Sequence, residues 1–220
     1  MWMILALFLW PIIIFLIISL IILPFHFTFY SLLNIITVPF QLIKIAFNKV
    51  LRANHALEHA TINVLEGKYG YQGLAGLANE KGFVIQGAVD PHHLEMAAVE
   101  GLRRLQKGEY WMAIHDRCGT SILAANFVAA VIFLILLWQT GMFTLLNVIL
   151  AVVFAQVIGP VAGKIFQKFI TTSIKVQNLQ IVGVEYQTRA ALGIFGFPVT
   201  LRPREFFVRT RRVPQVMLGS

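Results

Sequence analysis

The sequence predicts a mainly α-helical membrane protein. It would have two hydrophobic hairpins carrying three to four transmembrane helices, a small cytoplasmic α+β island and a β-rich C-terminal tail. Three observations predict this class. Of the 220 residues, 58% are hydrophobic, against roughly 45–50% in soluble domains. Uncharged apolar runs fill residues 1–23, 121–138 and 142–159, and about 20 such residues cross a hydrocarbon core. The charges are segregated: eight of ten acids lie between Glu58 and Asp116, and nine of 18 bases lie between Lys164 and Arg212.

The first block, residues 1–51, opens with "MWMILALFLWPIIIFLIISLIIL". It lacks the positive start and small-residue cleavage site of a signal peptide, so it reads as a retained span. Residues 25–51 hold Pro24 at their edge, Pro39 within, and Lys44 and Lys49 towards their end. A return across the bilayer, making a hairpin with the first span, is favoured over an interfacial helix with its lysines in water. Phe25, Phe27, Phe29 and Tyr30 read as an interfacial aromatic belt, with His26 among them.

Residues 52–120 form the polar island. A helix is predicted from about Ala53 to Leu65, stopping before Gly67 and Gly70. A short β-like run follows at Phe83–Ile85. Asp90-Pro91 starts a second helix, because aspartate caps and proline suits the first helical position. His92 and His93 read as solvated or capping residues. Arg103, Arg104 and Lys107 suit that helix's C-terminal dipole, and Gly108 can end it.

Residues 121–170 form a transmembrane hairpin turning at Gly141, so the island and the tail share one side. In the tail, residues 171–220, "IKVQNLQIVGVEYQ" and "GFPVTLRPREFFVRTRRV" alternate as strands. The island is near neutral at −1 and the segment from Lys164 onward carries +7 of the total +8. Such a tail marks the cytoplasmic side of a bacterial inner or thylakoid membrane and favours anionic lipids. No nucleic-acid fold signature is present, so nucleic acid is not an expected partner. Arg209, Arg211 and Arg212 read as a solvated or lipid-facing patch. The single Cys118 excludes an intrachain disulfide.

The chemistry concentrates in "NHALEHATINVLE" and "AIHDRCGTS". On a helix His55 and His59 lie about 40° apart and one turn removed. They form one face and can share a metal ion. With Glu58 one step round, this is the inverted zincin pattern H-x-x-E-H, in which the glutamate serves as general base on a water. Glu66 lies on the same face but about 10.5 Å further along the axis. That is too far for the same ion, and suits a residue supporting the ligands from behind or binding a second ion. A catalytic zinc needs a third ligand and an open position. His115 is the first choice and Cys118 the second. A thiol near the start of a helix is biased towards the metal-binding thiolate. Haem on His55 or His59 is disfavoured, since no companion motif is visible.

These residues resemble a family of bacterial integral membrane proteins described as predicted metal-dependent enzymes, patterned H-G-A-E-H-K, a downstream glutamate, then H-P-R-C-G-T-S. The match falls on His55, Glu58, His59, Glu66, His115, Arg117, Cys118, Gly119 and Thr120. The chain is also similar to a smaller uncharacterised group of cyanobacterial membrane proteins with a HALEHATI motif. The resemblance covers roughly residues 52–122. Ala60 departs from the pattern's lysine and Asp116 from its proline; the ligand-type residues are kept. It implies a membrane metal-binding protein. Two functions follow as expectations: a zinc-dependent hydrolase at the cytoplasmic face with Glu58 as base, or a non-enzymatic accessory subunit or assembly factor of a larger membrane complex. In the second, His55, His59, His115 and Cys118 would close a structural zinc site.

Overall fold

A computed structural model of the chain describes residues 2–186, 189–192, 198–201 and 205–213, and side chains for 9–185 and 205–213. The described chain forms two compact units: residues 1–41 with 122–163, and residues 42–121 with 164–220.

The first unit draws on helices α1 (Trp2–Phe47), α4 (Gly119–Thr140) and α5 (Leu145–Phe166). Among the described residues, three helical stretches are long and apolar enough to cross a membrane: Leu9–Phe47, Gly119–Thr140 and Leu145–Thr171. The hairpin expected within residues 1–51 is not formed. Helix α1 runs 46 residues through Pro11, Pro24 and Pro39. A proline forfeits one backbone bond, whereas a turn at membrane depth would leave several backbone groups without partners. Thr28 Oγ1 donates to the carbonyl of Pro24 at 2.7 Å.

The turn after α4 is the expected one. Gly141 takes φ +64°, and Asn147 Nδ2 donates to Thr140 Oγ1 and the Met142 carbonyl. Helices α4 and α5 then approach closely. A Cβ added at Gly159 would lie 2.5 Å from that of Ala125, the small-residue contact that substitutes for hydrophobic drive inside lipid. Phe27 meets Phe133 edge-on at 4.9 Å.

The second unit carries α2 (Lys49–Tyr69), β1 (Ala75–Asn79), β2 (Gly82–Gln86), α3 (Pro91–Gln106), β3 (Leu179–Tyr186), β4 (Arg189–Leu192), β5 (Pro198–Leu201) and β6 (Glu205–Arg212). Asn48 caps the start of α2, and Gly70, at φ +72°, ends it. Asp90 caps α3 through the backbone N–H groups of His92 and His93. The His93 ring stacks on Tyr69.

One antiparallel sheet has the order β1-β2-β6-β3, and β4 pairs with β5 separately. The island hairpin and the tail strands β3 and β6 therefore share a sheet. Part of the second predicted tail strand, residues 196–197 and 202–204, lies outside the described residues. Helices α2 and α3 pack against the four-stranded sheet. Leu57 and Leu65 from α2, Leu94 and Leu105 from α3, Phe83 and Ile85 from β2, and Phe206 and Val208 from β6 form its core. The two helices touch where Gly101 faces Ala60; a Cβ there would sit about 3.0 Å from the Ala60 backbone. Ala60 is fully buried, so the lysine of the resembling pattern has no room here.

Candidate metal centre

Helix α2 has two working faces. Asn54 and Glu58 turn towards the sheet. Asn54 Nδ2 donates to the Asn79 carbonyl, and its Oδ1 accepts from Thr210 Oγ1. The Glu58 carboxyl accepts from the backbone N–H of Ala78 and presses on Gly76, where a Cβ would fall 2.1 Å from Oε1. Burial pushes this carboxyl up to about 8, against that one hydrogen bond. A cation nearby would favour its charged form.

The other face carries the histidines, as their four-residue spacing predicts. Their rings meet edge-on with centroids 4.4 Å apart. His59 Nδ1–H donates to the Ala113 carbonyl at 2.7 Å. His55 Nδ1–H donates to the Thr171 carbonyl at 3.0 Å. Each bond fixes the tautomer that leaves a lone pair on Nε2, the usual support of a metal-binding imidazole. Burial lowers the pKa of both rings, and each histidine at this site is thereby held neutral.

Cys118 immediately precedes α4. Its Sγ accepts from the Thr120 backbone N–H at 3.3 Å and lies 3.4 Å from His55 Nε2. One ligand atom from each of His55, His59 and Cys118 lies within 4.8 Å of the others. Ligands sharing one ion at 2.0–2.3 Å stand roughly 3.3–3.8 Å apart, so a small closure suffices. His59 Nε2 is buried and has no hydrogen-bond partner among the described residues; a bare acceptor of this kind costs stability unless something binds it. The residues thus fit a metal. Burial pushes the Cys118 thiol up, against the hydrogen bonds from Thr120.

His115, the first choice for third ligand, stays outside this group. Its Nε2 faces Glu66 Oε2 at 3.2 Å, and its ring centroid is 6.0 Å from that of His59. Glu66 stands apart from the three candidate ligands, as its distance along the helix predicts, and also faces Arg117 at 3.9 Å. Asp116 pairs with Lys164 at 2.8 Å.

Sequence reasoning missed the scaffold behind the site. Beyond α5 the helix widens into a π turn, Gln167–Thr171, a distortion common at functional sites. Its fully buried Gln167 accepts from the His115 N–H and donates to the His115 carbonyl and to Ser121 Oγ. Its last residue, Thr171, holds His55. Asn63 ties α2 to the carbonyls of Met112 and Ile114. The available signal was Gln167 set between apolar Phe166 and Phe169 in "AGKIFQKFI".

Residues 50–184 match the family model described as "Domain of unknown function (DUF6391)". The chain belongs to the DUF6391 family. The DUF6391 segment contains every side chain named at the centre, from His55 to Thr171, while β6 lies beyond it. An uncharacterized protein of Picosynechococcus sp. is similar to this DUF6391 chain, with 33% identity over 152 residues covering 63% of this chain and 73% of the relative. No solved structure matches.

Proposed function

We propose that this is an integral membrane zinc protein with a hydrolytic centre at the cytoplasmic membrane face. The observation that carries the reading is the convergence of three ligand atoms, from His55, His59 and Cys118, on a place where His59 Nε2 has no other partner. Three protein ligands with neutral imidazoles and a thiol suit zinc, and three rather than four leave a position open. The resemblance to membrane metal-dependent enzymes agrees with this set. A bound zinc would supply Lewis-acid polarisation of a carbonyl or phosphoryl oxygen.

The chain's own residues would do the rest. Thr171 and Ala113 hold the imidazoles in register. Glu58, which faces the sheet but whose charge is felt by the Cys118 thiol, would take a proton at its carboxylate. A peptide or lipid-like substrate would reach the centre from the interface. The second reading, an accessory subunit or assembly factor with a structural metal, is favoured by burial: His59 is 1% exposed and Cys118 6%.

The test is metal analysis of the detergent-purified protein, followed by cobalt substitution. About one equivalent of metal is expected, lost in His59→Ala and kept in Glu58→Gln. In the cobalt protein, a small exogenous ligand such as azide should alter the visible spectrum if a position is open. An unchanged spectrum would transfer the site to the structural reading. Absence of metal from freshly purified, chelator-free protein, with none taken up on addition of zinc, would refute both.

A further inference from the structure

A cavity of about 330 Å³ lies beside the start of α2 and the chain leaving α5. Its walls include Arg52, Tyr110, Lys168, Thr172, Ser173 and Lys175. Three are cations, and none of the lining residues is acidic. Arg52 spends its hydrogen bonds on the carbonyls of Ala46, Phe169 and Thr172, so it braces the wall while its charge remains. Lys168 Nζ rests 5.4 Å from the Tyr110 ring centroid and 5.3 Å from that of Phe169. Among the described residues, neither Lys168 nor Lys175 has a carboxylate within 4.0 Å. Lys164, one turn before Lys168, does have one, in Asp116. The uncompensated charge is therefore local to the cavity.

Position along the third candidate span says what kind of anion reaches it. That span runs Leu145–Thr171, 27 residues, or about 40 Å at 1.5 Å per residue. A hydrocarbon core takes up about 30 Å, which α5 covers by about Lys164. Lys168 then falls at headgroup depth. Phe169, Ile174 and Tyr110 around it are exposed apolar side chains, and aromatic rings beside lysines are the usual furnishing of that layer. Ser173 and Thr172 add hydroxyls at the same wall.

We propose that this cavity binds the phosphate of an anionic phospholipid headgroup, held by Lys168 and Lys175, with the acyl chains leaving over Phe169 and Ile174. The site stands on the cavity alone and holds whether or not His55, His59 and Cys118 carry a metal.

The full chain in dodecyl maltoside micelles would be titrated with dioctanoyl phosphatidylglycerol, dioctanoyl phosphatidylcholine and inorganic phosphate, with binding followed by thermophoresis. Saturable binding of the phosphatidylglycerol is expected, with the other two at least about tenfold weaker. In K168Q/K175Q that binding should weaken by about tenfold or more, since each interfacial lysine contributes roughly a factor of several. K81Q/K107Q, the same charge change on exposed lysines elsewhere, should bind as the parent does. Equal binding by K168Q/K175Q and the parent would overturn the proposal, as would equal losses in both double variants. Phosphate binding as tightly as the lipid would assign the cavity to a soluble anion and overturn the lipid source. Should K168Q/K175Q misfold, K168R/K175R must retain the lipid and the single K175Q must weaken it. Metal content on the same samples keeps the two sites separable.

Discussion

Gly76 and Glu58 form one joint, in which β1 approaches α2 so closely that no Cβ fits between backbone and carboxyl. Gly76→Ala must therefore push the Glu58 side chain from its bond to Ala78, and overpacking of this kind costs about 1–3 kcal/mol. Denaturant unfolding should show that loss. The double variant G76A/E58A, with the obstructing carboxyl removed, should recover part of it, and additive losses would contradict the joint. At this scale the sequence was a partial guide. The His55–His59 pairing was legible because four residues make a little over one turn. That Cys118 rather than His115 would lie beside the histidine pair was not legible. Both residues lie within three positions of each other, and the choice turns on where one imidazole points. Glu66, 49 positions earlier in the chain, claims His115 Nε2.

Some helix ends follow short-range chemistry and others do not: α2 starts at Lys49 rather than Ala53 and runs through Gly67, where the sequence predicts a stop after Leu65. Gly70 stops α2 in the left-handed region, and Asp90 starts α3 by accepting from the N–H groups of His92 and His93. Those bonds hold the Asp90 carboxyl below its ordinary value. A carboxylate depressed in the folded state contributes stability that is present above its unfolded value, about 3.9, and lost as pH falls through the folded one. Asp90→Asn, which keeps an acceptor but cannot titrate, should therefore flatten the acid limb of the unfolding midpoint against pH below about pH 4. An acid limb identical to the parent's would remove Asp90 from that role. What misled at this scale was Pro24. Proline is a reliable stop in water, where freed carbonyls find solvent. In an apolar run the alternative to a strained helix is an unbonded turn, and the helix continues. The π turn at Gln167 was hidden for a similar reason: nothing local in "FQKFIT" demands it, and the demand comes from His115 and His55 across the fold.

The whole sheet joins segments far apart in sequence. Strand β6 lies between β2 and β3, pairing Val84 with Phe207 and Val184 with Val208. Alternation made the strands themselves readable; their order depends on contacts more than a hundred residues apart, which no local pattern encodes. Because β2 and β6 are hydrogen-bonded, Lys81 and Arg211 must face the same side of the membrane, and the basic tail predicts the cytoplasm. In a C118A background, K81C and R211C should both react with an impermeant maleimide only when the cytoplasmic face is open. Labelling from opposite sides would break the proposed topology. The placement of β6 also sets an order of events during synthesis. When β2 leaves the ribosome its partner on one side is over a hundred residues from being made, so the nascent chain carries only a two-stranded hairpin, which is marginal alone in water. Helices α4 and α5 are translated in that interval. The histidine helix must then wait for the far end of the chain before its sheet closes, and until then the open edge of β2 is a surface that a chaperone or a neighbouring nascent chain can occupy.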